Sequence, residues 1–353
     1  MRAEFKIETT RPDTVHGIAG FLGSEYPDGE ISDERFLKWE YLDNPFGKVV
    51  VTMATGTDGN AASQYALIPI EVLVKGKVFG ASLSLNTLTA AAFRGKGLFS
   101  QTAKATFEYC SGAGIHFTVG VPNRNSYPGF INKLGFKHIG NLIFCLKPLR
   151  PAGIIRSLLS RGSAKKGSGI NLTIDDEVLA LNSVSGFDPV ADRIMYEHFW
   201  ELWRKDKPIA LNRPAAFLGW RYFENPLRKY DVFKLIHKGE IKALLATRSL
   251  YVYGLRTCIV MDFLSLGEHY GHTLIRAIAG EAKRNDLDIM MGVTANRNAE
   301  FRQMIKSGFI KIPGVLLPQQ LPLIIKVHRQ FEHADMLFDP GSWHFMFGDY
   351  DIF

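Results

Sequence analysis

The sequence predicts a mixed α/β (α+β) chain folded as two tandem domains, and three observations predict it. Between Ala81 and Tyr109 an apolar strand, a glycine-rich turn and a helix follow one another. A second strand, turn and helix come directly after, ending in Gly135-Phe136. Two segments of the first half then recur, in order, in the second half. With 353 residues there is room for two domains. The expected boundaries are 1–150 for the first domain, 151–190 for a Gly/Ser/Lys-rich connector and lead-in, and 191–353 for the second.

Taken in order, Ala81-Ser-Leu-Ser-Leu-Asn-Thr-Leu88 has strand character, and Gln101 to Tyr109 carries apolar residues at helical spacing. Between them lies Phe93-Arg-Gly-Lys-Gly-Leu-Phe99. A tight turn running into a helix N-terminus presents unpaired N–H groups and the positive end of the helix dipole, which suits an anion. Gly95 and Gly97 permit positive φ and leave room for a phosphate against the backbone. The run is neither a Walker A loop nor the Gly-x-Gly-x-x-Gly dinucleotide fingerprint. An ordinary surface turn is the alternative reading. About 25 residues on come the strand Ile115-His-Phe-Thr-Val-Gly-Val121, the turn Pro122-Asn-Arg-Asn-Ser-Tyr127, and a helix closing at Lys133-Leu-Gly-Phe136.

The loop Arg94-Gly-Lys-Gly-Leu98 resembles the Arg/Gln-x-x-Gly-x-Gly/Ala loop of the GCN5-related N-acetyltransferase (GNAT) superfamily, and residues 115–136 resemble the second half of that fold. The resemblance implies, in each domain, a mixed and mostly antiparallel sheet with a splayed parallel strand pair and flanking helices. It also implies acyl-CoA as co-substrate. Pantetheine amides would pair with the strand edge around Leu85, Thr87 and Leu88. Its pyrophosphate would sit on Arg94, Gly95, Lys96, Gly97, Leu98 and Phe99, and Asn123 would reach the cofactor with its side chain.

The repeat is most evident where Phe36-Leu-Lys-Trp-Glu-Tyr-Leu-Asp-Asn-Pro45 recurs as Phe217-Leu-Gly-Trp-Arg-Tyr-Phe-Glu-Asn-Pro226, identical at six of ten positions. Each reads as a helix end, broken by Asn-Pro. Gly120-Val-Pro-Asn-Arg-Asn125 is echoed by Gly292-Val-Thr-Ala-Asn-Arg-Asn298, and each echo is followed by a helix closing in Gly-Phe, at 135–136 and 308–309. A tandem duplication is the expected origin. Where the first copy has its glycine-rich loop, the second has Gly267-Glu-His-Tyr-Gly-His272. Glu268 would repel a phosphate there. The second loop is therefore read as degenerate, and Gly271→Val is expected to leave CoA binding unaltered.

Composition bounds the remaining classes. The chain is 46% hydrophobic and 22% charged, as in ordinary globular proteins. It has no apolar run of the roughly 18 residues a membrane span needs and no signal-peptide core, which points to the cytoplasm. Cys110, Cys145 and Cys258 lack metal or redox spacing, and no zinc motif accompanies His269 and His272, so no metal is expected. The net charge of +7 is spread out, apart from Arg156, Arg161, Lys165 and Lys166 in the connector. It is not clustered as a nucleic-acid arm would be, and a surplus of this size suits anionic small ligands as well as polymers. Neither nucleic acid nor membrane is an expected partner.

The resemblance implies direct transfer of an acetyl or short acyl group to a primary amine in a ternary complex. Many family members place a Tyr four residues before the closing Gly-Phe glycine; here that position is Ile131, and in the second copy Met304. Tyr127 is a substitute acid, with packing as the alternative. Glu71, in the strand Leu67-Ile-Pro-Ile-Glu-Val-Leu73, is a candidate base, with a solvated strand face as the alternative. The closing Trp343-His-Phe-Met-Phe-Gly-Asp-Tyr-Asp351 either lines the pocket or docks as an edge strand. The architecture resembles tandem GNAT proteins of bacterial polysaccharide biosynthesis, which implies a nucleotide-linked (dTDP) amino sugar as acceptor. Another small amine, or a non-catalytic CoA-binding scaffold, are the alternatives.

Overall fold

The computed structural model describes residues 5–154 and 169–350. The connector's Arg156, Arg161, Lys165 and Lys166, and Asp351 at the other end, lie outside the described residues. The first half runs β1 (Lys6–Thr10), α1 (His16–Glu25), α2 (Glu34–Tyr41), β2 (Val50–Thr55), β3 (Ala61–Val74), β4 (Lys77–Thr89), α3 (Leu98–Gly112), β5 (Phe117–Gly120), α4 (Tyr127–Leu134), β6 (Lys137–Asn141) and β7 (Ile143–Pro148). The second runs α5 (Asp176–Leu181), β8 (Val184–Gly186), α6 (Arg193–Arg204), β9 (Ile209–Leu211), α7 (Ala215–Tyr222), β10 (Asp231–His237), β11 (Glu240–Val252) and β12 (Leu255–Ser265). It continues with α8 (Glu268–Arg284), β13 (Ile289–Thr294), α9 (Ala299–Lys306), β14 (Ile310–Lys311), β15 (Pro322–Val327) and β16 (Trp343–His344).

Two mixed sheets result, with helices packed on them. Antiparallel pairing dominates because three hairpins close on two-residue turns: Lys75-Gly76, Lys238-Gly239 and Tyr253-Gly254. All six turn residues have positive φ, the geometry whose twist matches paired strands. The first sheet has the order β1-β2-β3-β4-β5-β15-β6, with β9 joined to β3 and β16 to β9; the second is β14-β7-β13-β12-β11-β10-β8. Each sheet is completed by a strand from the other half. β15 lies between β5 and β6, and β7 lies between β13 and β14. The boundary drawn at residue 150 thus follows a strand that pairs in the second sheet.

The two repeated segments meet. Trp39 and Trp220 stack with ring centroids 4.7 Å apart, and each indole N–H donates to the other's carbonyl, at 2.8 and 2.9 Å. Phe36 and Phe217 close the same buried cluster. This reciprocal contact places the carboxyl ends of α2 and α7 side by side beneath β3 and β4.

Candidate functional site

β4 and β5 pair in parallel only at Ser82–Thr118 and Leu83–Val119. Beyond Leu83 the edge of β4 that faced β5 has no strand partner, and the two strands frame a cleft of about 760 Å³. Within it β4 carries a bulge. Leu85 stands opposite Ala66 and Leu88 opposite Gln64, so Asn86 and Thr87 together face Tyr65 alone. Asn86 takes φ +50°, which the extra residue of the bulge imposes. Its carbonyl accepts from Gln64 Nε2 at 3.1 Å, and its Nδ2 donates to Glu40 Oε2 at 2.7 Å and Tyr41 Oη at 3.2 Å. Thr87 Oγ1 is buried in the cleft wall with no hydrogen-bond partner, an orphan that a ligand amide would satisfy.

The cleft leads to the N-terminus of α3. Gly95 and Gly97 have φ +80° and +78°, and Gly97 is the N-cap. Nothing lies within 4 Å of where a Cβ on Gly95 would stand. Arg94 lines the cleft, its Nε donating to Thr89 O at 3.2 Å and its Nη2 lying 3.5 Å from Glu25 Oε2. Lys96 rests 4.9 Å above the Phe93 ring. The backbone geometry fits an anion: two left-handed glycines turn the chain into a helix whose first N–H groups have no intrahelical partner. Leu98 is 1% exposed and packs on Ala54 and Ala62, so it anchors the loop rather than offering a side chain. Phe99 and Leu88 wall the cleft, Phe99 against Phe130. Asn123 also borders it, but its Oδ1 accepts from the backbone N–H of Asn125 and Ser126, both at 3.0 Å. What its side chain offers a ligand is the NH₂ group.

The two candidate catalytic residues stand elsewhere. Tyr127 opens α4 and hydrogen-bonds His138 Nδ1 at 2.8 Å; it lines a second cleft of about 490 Å³ with Arg124 and Gln320. Glu71 Oε2 accepts from Asn212 Nδ2 at 2.7 Å. It pairs with Gly80, four residues along β4 from Ser84, or about 13 Å from the start of the splay at strand rise. Neither borders the first cleft. Ile131 is packed against the Phe107–Phe130 cluster and Met304 in the second core, so neither position supplies a hydroxyl. Sequence reasoning missed Glu40, Asn86 and Tyr41. The signal available was Glu40's place in the repeat, where its counterpart is Arg221.

The corresponding region of the second half is filled. β12 and β13 pair in parallel over four positions, from Thr257–Ile289 to Val260–Gly292. Beyond them sit residues 343–350, all buried except for fractions below a tenth. Ala295 N donates to Phe345 O at 3.2 Å, and a Cβ on Gly348 would come within 3.0 Å of Met261 O. Gly267 is extended, Glu268 pairs with Lys306 at 2.8 Å, and Gly271 is buried. A Cβ on Gly271 would overlap Gln303 and stand 2.8 Å from Phe263 Cζ. The expectation that Gly271→Val is silent is therefore corrected: it would break the core before it tested a cradle.

Of the two sequence readings of the closing segment, the strand applies, while none of its residues lines the cleft between β4 and β5. β16 pairs in parallel with β9 as a short strand, while Asp349 and Tyr350 reach a small cavity beside Leu85. A buried ionic network secures the segment. Arg213, fully buried, donates to Asp262 Oδ2 at 2.8 Å and to Asp349. Burial pushes Asp262 up, but Arg213 and His344 more than offset it, leaving that carboxyl below the usual range. Asp349 ends above its usual value, because burial and the charge of Asp262 outweigh Arg213 and His344. Among the described residues no cluster of His, Cys, Asp and Glu could hold a metal, and no helix is long and apolar enough to cross a membrane.

No curated protein matches the chain in sequence. Residues 8–139 match the family model described as "Acetyltransferase (GNAT) domain". Three solved structures share the fold across nearly the whole chain. A probable N-acyltransferase from Enterococcus faecalis gives a TM-score of 0.62 at 10% identity, covering 92% of this chain and 73% of that one. A GCN5-related N-acetyltransferase from Anabaena variabilis gives 0.64 at 11% identity, with the same 92% and 73% coverage. The N-myristoyltransferase of Saccharomyces cerevisiae, solved with bound myristoyl-CoA, gives 0.58 at 11% identity, covering 90% and 78%. Residues 8–139 thus carry the sequence pattern of a GNAT acetyltransferase domain, and the chain as a whole has the GNAT-type acyltransferase fold.

Proposed function

We propose that the protein is a CoA-dependent N-acyltransferase that moves an acetyl or short acyl group to a primary amine, with one CoA site per chain. The observation that carries this reading is the cleft between β4 and β5, with an unpaired strand edge at one end and the Gly95–Gly97 turn at the other. A pantetheine arm needs the first and a pyrophosphate the second. The filled counterpart in the second half supports a single site.

Acyl-CoA supplies the acyl group already activated as a thioester. The chain's own contribution is to hold it. The edge of β4 from Leu85 to Leu88, which has no strand partner past Leu83, would bind the arm, and backbone N–H groups there would polarise the thioester carbonyl. Lining up amine and thioester contributes up to about 7–11 kcal/mol in favourable systems, so positioning can carry much of the rate. No Tyr stands at residue 131, so the departing thiolate takes its proton from another source.

For the acceptor we assign a nucleotide-linked (dTDP) amino sugar. Support comes from the net charge of +7, which favours a phosphorylated acceptor over a polycation, and from the likeness of the sequence. The test begins with calorimetric titration of the CoA-saturated protein with dTDP. Acetyl-CoA is then offered with a dTDP-linked amino sugar, an aminoglycoside, spermidine and a short peptide, and free thiol is measured. Thiol release with the sugar nucleotide supports the assignment. Release with another amine alone replaces the acceptor, and CoA binding without release to any amine leaves a scaffold.

A further inference from the structure

The cleft that Tyr127 lines has no part in acyl transfer as described, yet its volume of about 490 Å³ is that of a small-molecule site. The turn into α4, the start of α4 and β6 form one side, through Arg124, Tyr127, His138 and Asn141. The segment from Gly314 to Gln320, which leads into β15, forms the other. Strand pairing joins the two sides. Pro322 is opposite Asn141 in the β15–β6 register, and Leu142 N donates to Leu321 O at 2.9 Å. Asn141 Nδ2 also donates to Gln320 Oε1 at 3.0 Å, so what the Gln320 amide still offers is its NH₂ group.

The lining is one-sided in charge. No Asp or Glu borders the cleft, whereas Arg124 brings a guanidinium, and His138, Gln319 and Gln320 bring ring or amide N–H groups. Among the described residues Arg124 has no carboxylate partner, so its charge is not already neutralised. Tyr127 Oη lies 2.8 Å from His138 Nδ1. With the phenol as donor, a neutral imidazole carries its proton on Nε2, and that N–H is what His138 can offer. Leu317, Pro318 and Pro322 supply an apolar side. One cation, several donors and an apolar wall suit an organic anion. A phosphate ester, with three acceptor oxygens and a charge near −2, satisfies more of these donors than a carboxylate does.

The turn 122–127 stands between this cleft and the one framed by β4 and β5. Pro122, Asn123, Asn125 and Ser126 line the first cleft, Arg124 and Tyr127 line the second, and the two share no lining residue. Asn123 stiffens that wall: its Oδ1 accepts from Asn125 and Ser126, and its carbonyl accepts from Tyr127 N at 3.0 Å. We propose that the second cleft binds a small phosphate ester separate from acyl-CoA, with both clefts able to be filled at once. Arg124 and His138 take the phosphate, and the Leu317–Pro318 side takes the organic part. Tyr127 then orients His138 and is no acid for the thiolate. The 3′-phosphate of CoA itself has the same chemistry, so the test must separate the two sources.

Phenyl phosphate is the probe, titrated calorimetrically into protein saturated with CoA. Saturable binding of one molecule per chain is expected. Arg124→Ala should weaken it at least about tenfold, as the loss of a charge-assisted hydrogen bond does, and leave CoA affinity within about threefold of wild type. Gln319→Glu puts a carboxylate into the lining from an exposed position, should weaken the probe likewise, and decides the matter if Arg124→Ala does not fold. Thermal melting reports whether each variant is folded. No saturable heat from the CoA-saturated wild type overturns the proposal, as does binding that the folded variants leave unchanged. If the probe binds only CoA-free protein, and Arg124→Ala weakens CoA but not dephospho-CoA, the cleft holds CoA's own phosphate and a separate site is refuted. Acyl transfer is not measured in any arm, so a failure here leaves the proposed activity standing.

Discussion

Gly97→Val separates binding from folding at the helix that would hold the pyrophosphate. Gly97 has φ +78°, and the one atom within 4 Å of its built Cβ is Gln101 Nε2 at 3.6 Å. The fold therefore has space for the side chain and meets only the backbone cost of a left-handed L-residue, about 1–2 kcal/mol. A drop of about 1–3 °C in melting temperature is the expected consequence for a chain of this length. Binding suffers more. The branched side chain stands in the turn that would cradle phosphate, and losing two charge-assisted N–H bonds at about 1.5–3 kcal/mol each removes at least about 3 kcal/mol. That is a factor of more than about 100 in Kd. Calorimetric titration with CoA reads the affinity, and thermal melting reports the fold. Gly267→Ala is the control in the second half, since it is extended and its Cβ would meet Tyr270 at an ordinary 3.4 Å. A Gly97→Val protein that melts cooperatively and binds CoA as tightly as wild type would refute the cradle.

Three further outcomes follow from packing and charge. Trp39→Ala removes a stacked indole and its hydrogen bond to Trp220, and should cost about 3–5 kcal/mol in denaturant unfolding. Arg213→Met leaves Asp262 and Asp349 buried without their shared cation. Unfolding at neutral pH should show a loss of about 3–5 kcal/mol, and an unchanged midpoint would mean that the network is neutral. Burial raises the Asp231 carboxyl from 3.8 to about 6. A raised folded value costs nothing below pH 3.8 and is fully unfavourable above about 6, so the stability it permits is lost as pH rises through that window. Asp231→Asn should therefore stabilise by at most about 3 kcal/mol at pH 8 and not at all below pH 3.8, read from melting curves at both.

How much was legible depended on whether a feature is local. The strand, turn and helix around Gly95 and Gly97 follow from residues within twenty positions, and β4, α3 and the positive φ values appear where the sequence placed them. The Trp-containing repeat was visible as a pattern, and its stacking pairs residues 181 apart, which no window of sequence could register. The exchange of β7 and β15 was invisible for the same reason: both are short apolar runs without a local signal, and their partners are chosen by tertiary packing. Glu71 attracted notice as a carboxylate among apolar residues, yet Asn212, 141 positions away, claims it. Glu40 was passed over because a Glu near a helix end normally faces solvent. Here both faces of that helix end are covered, one by β4 and the other by α7.

The strand exchange also explains why the cleft cannot be ascribed to one half of the chain. β5 has four residues and only two parallel pairings to β4. It is held along its whole length by β15, from Phe117–Val327 to Gly120–Ile324. The course of β5 away from β4, which opens the cleft, is thus set by a strand that enters after the second half has been traced. The cavity beside Leu85 draws Glu40 from α2, Arg221 from α7 and Tyr350 from the closing segment, which Arg213 and Asp262 tie down. A second half that retains the sheet but fills its own splay is then no vestige. Its β15 backs β5, and Arg221, Asp349 and Tyr350 line the cavity beside Leu85, so substitutions in its core at Arg213 or Trp220 should alter the proposed acyl transfer without touching a residue that lines the cleft.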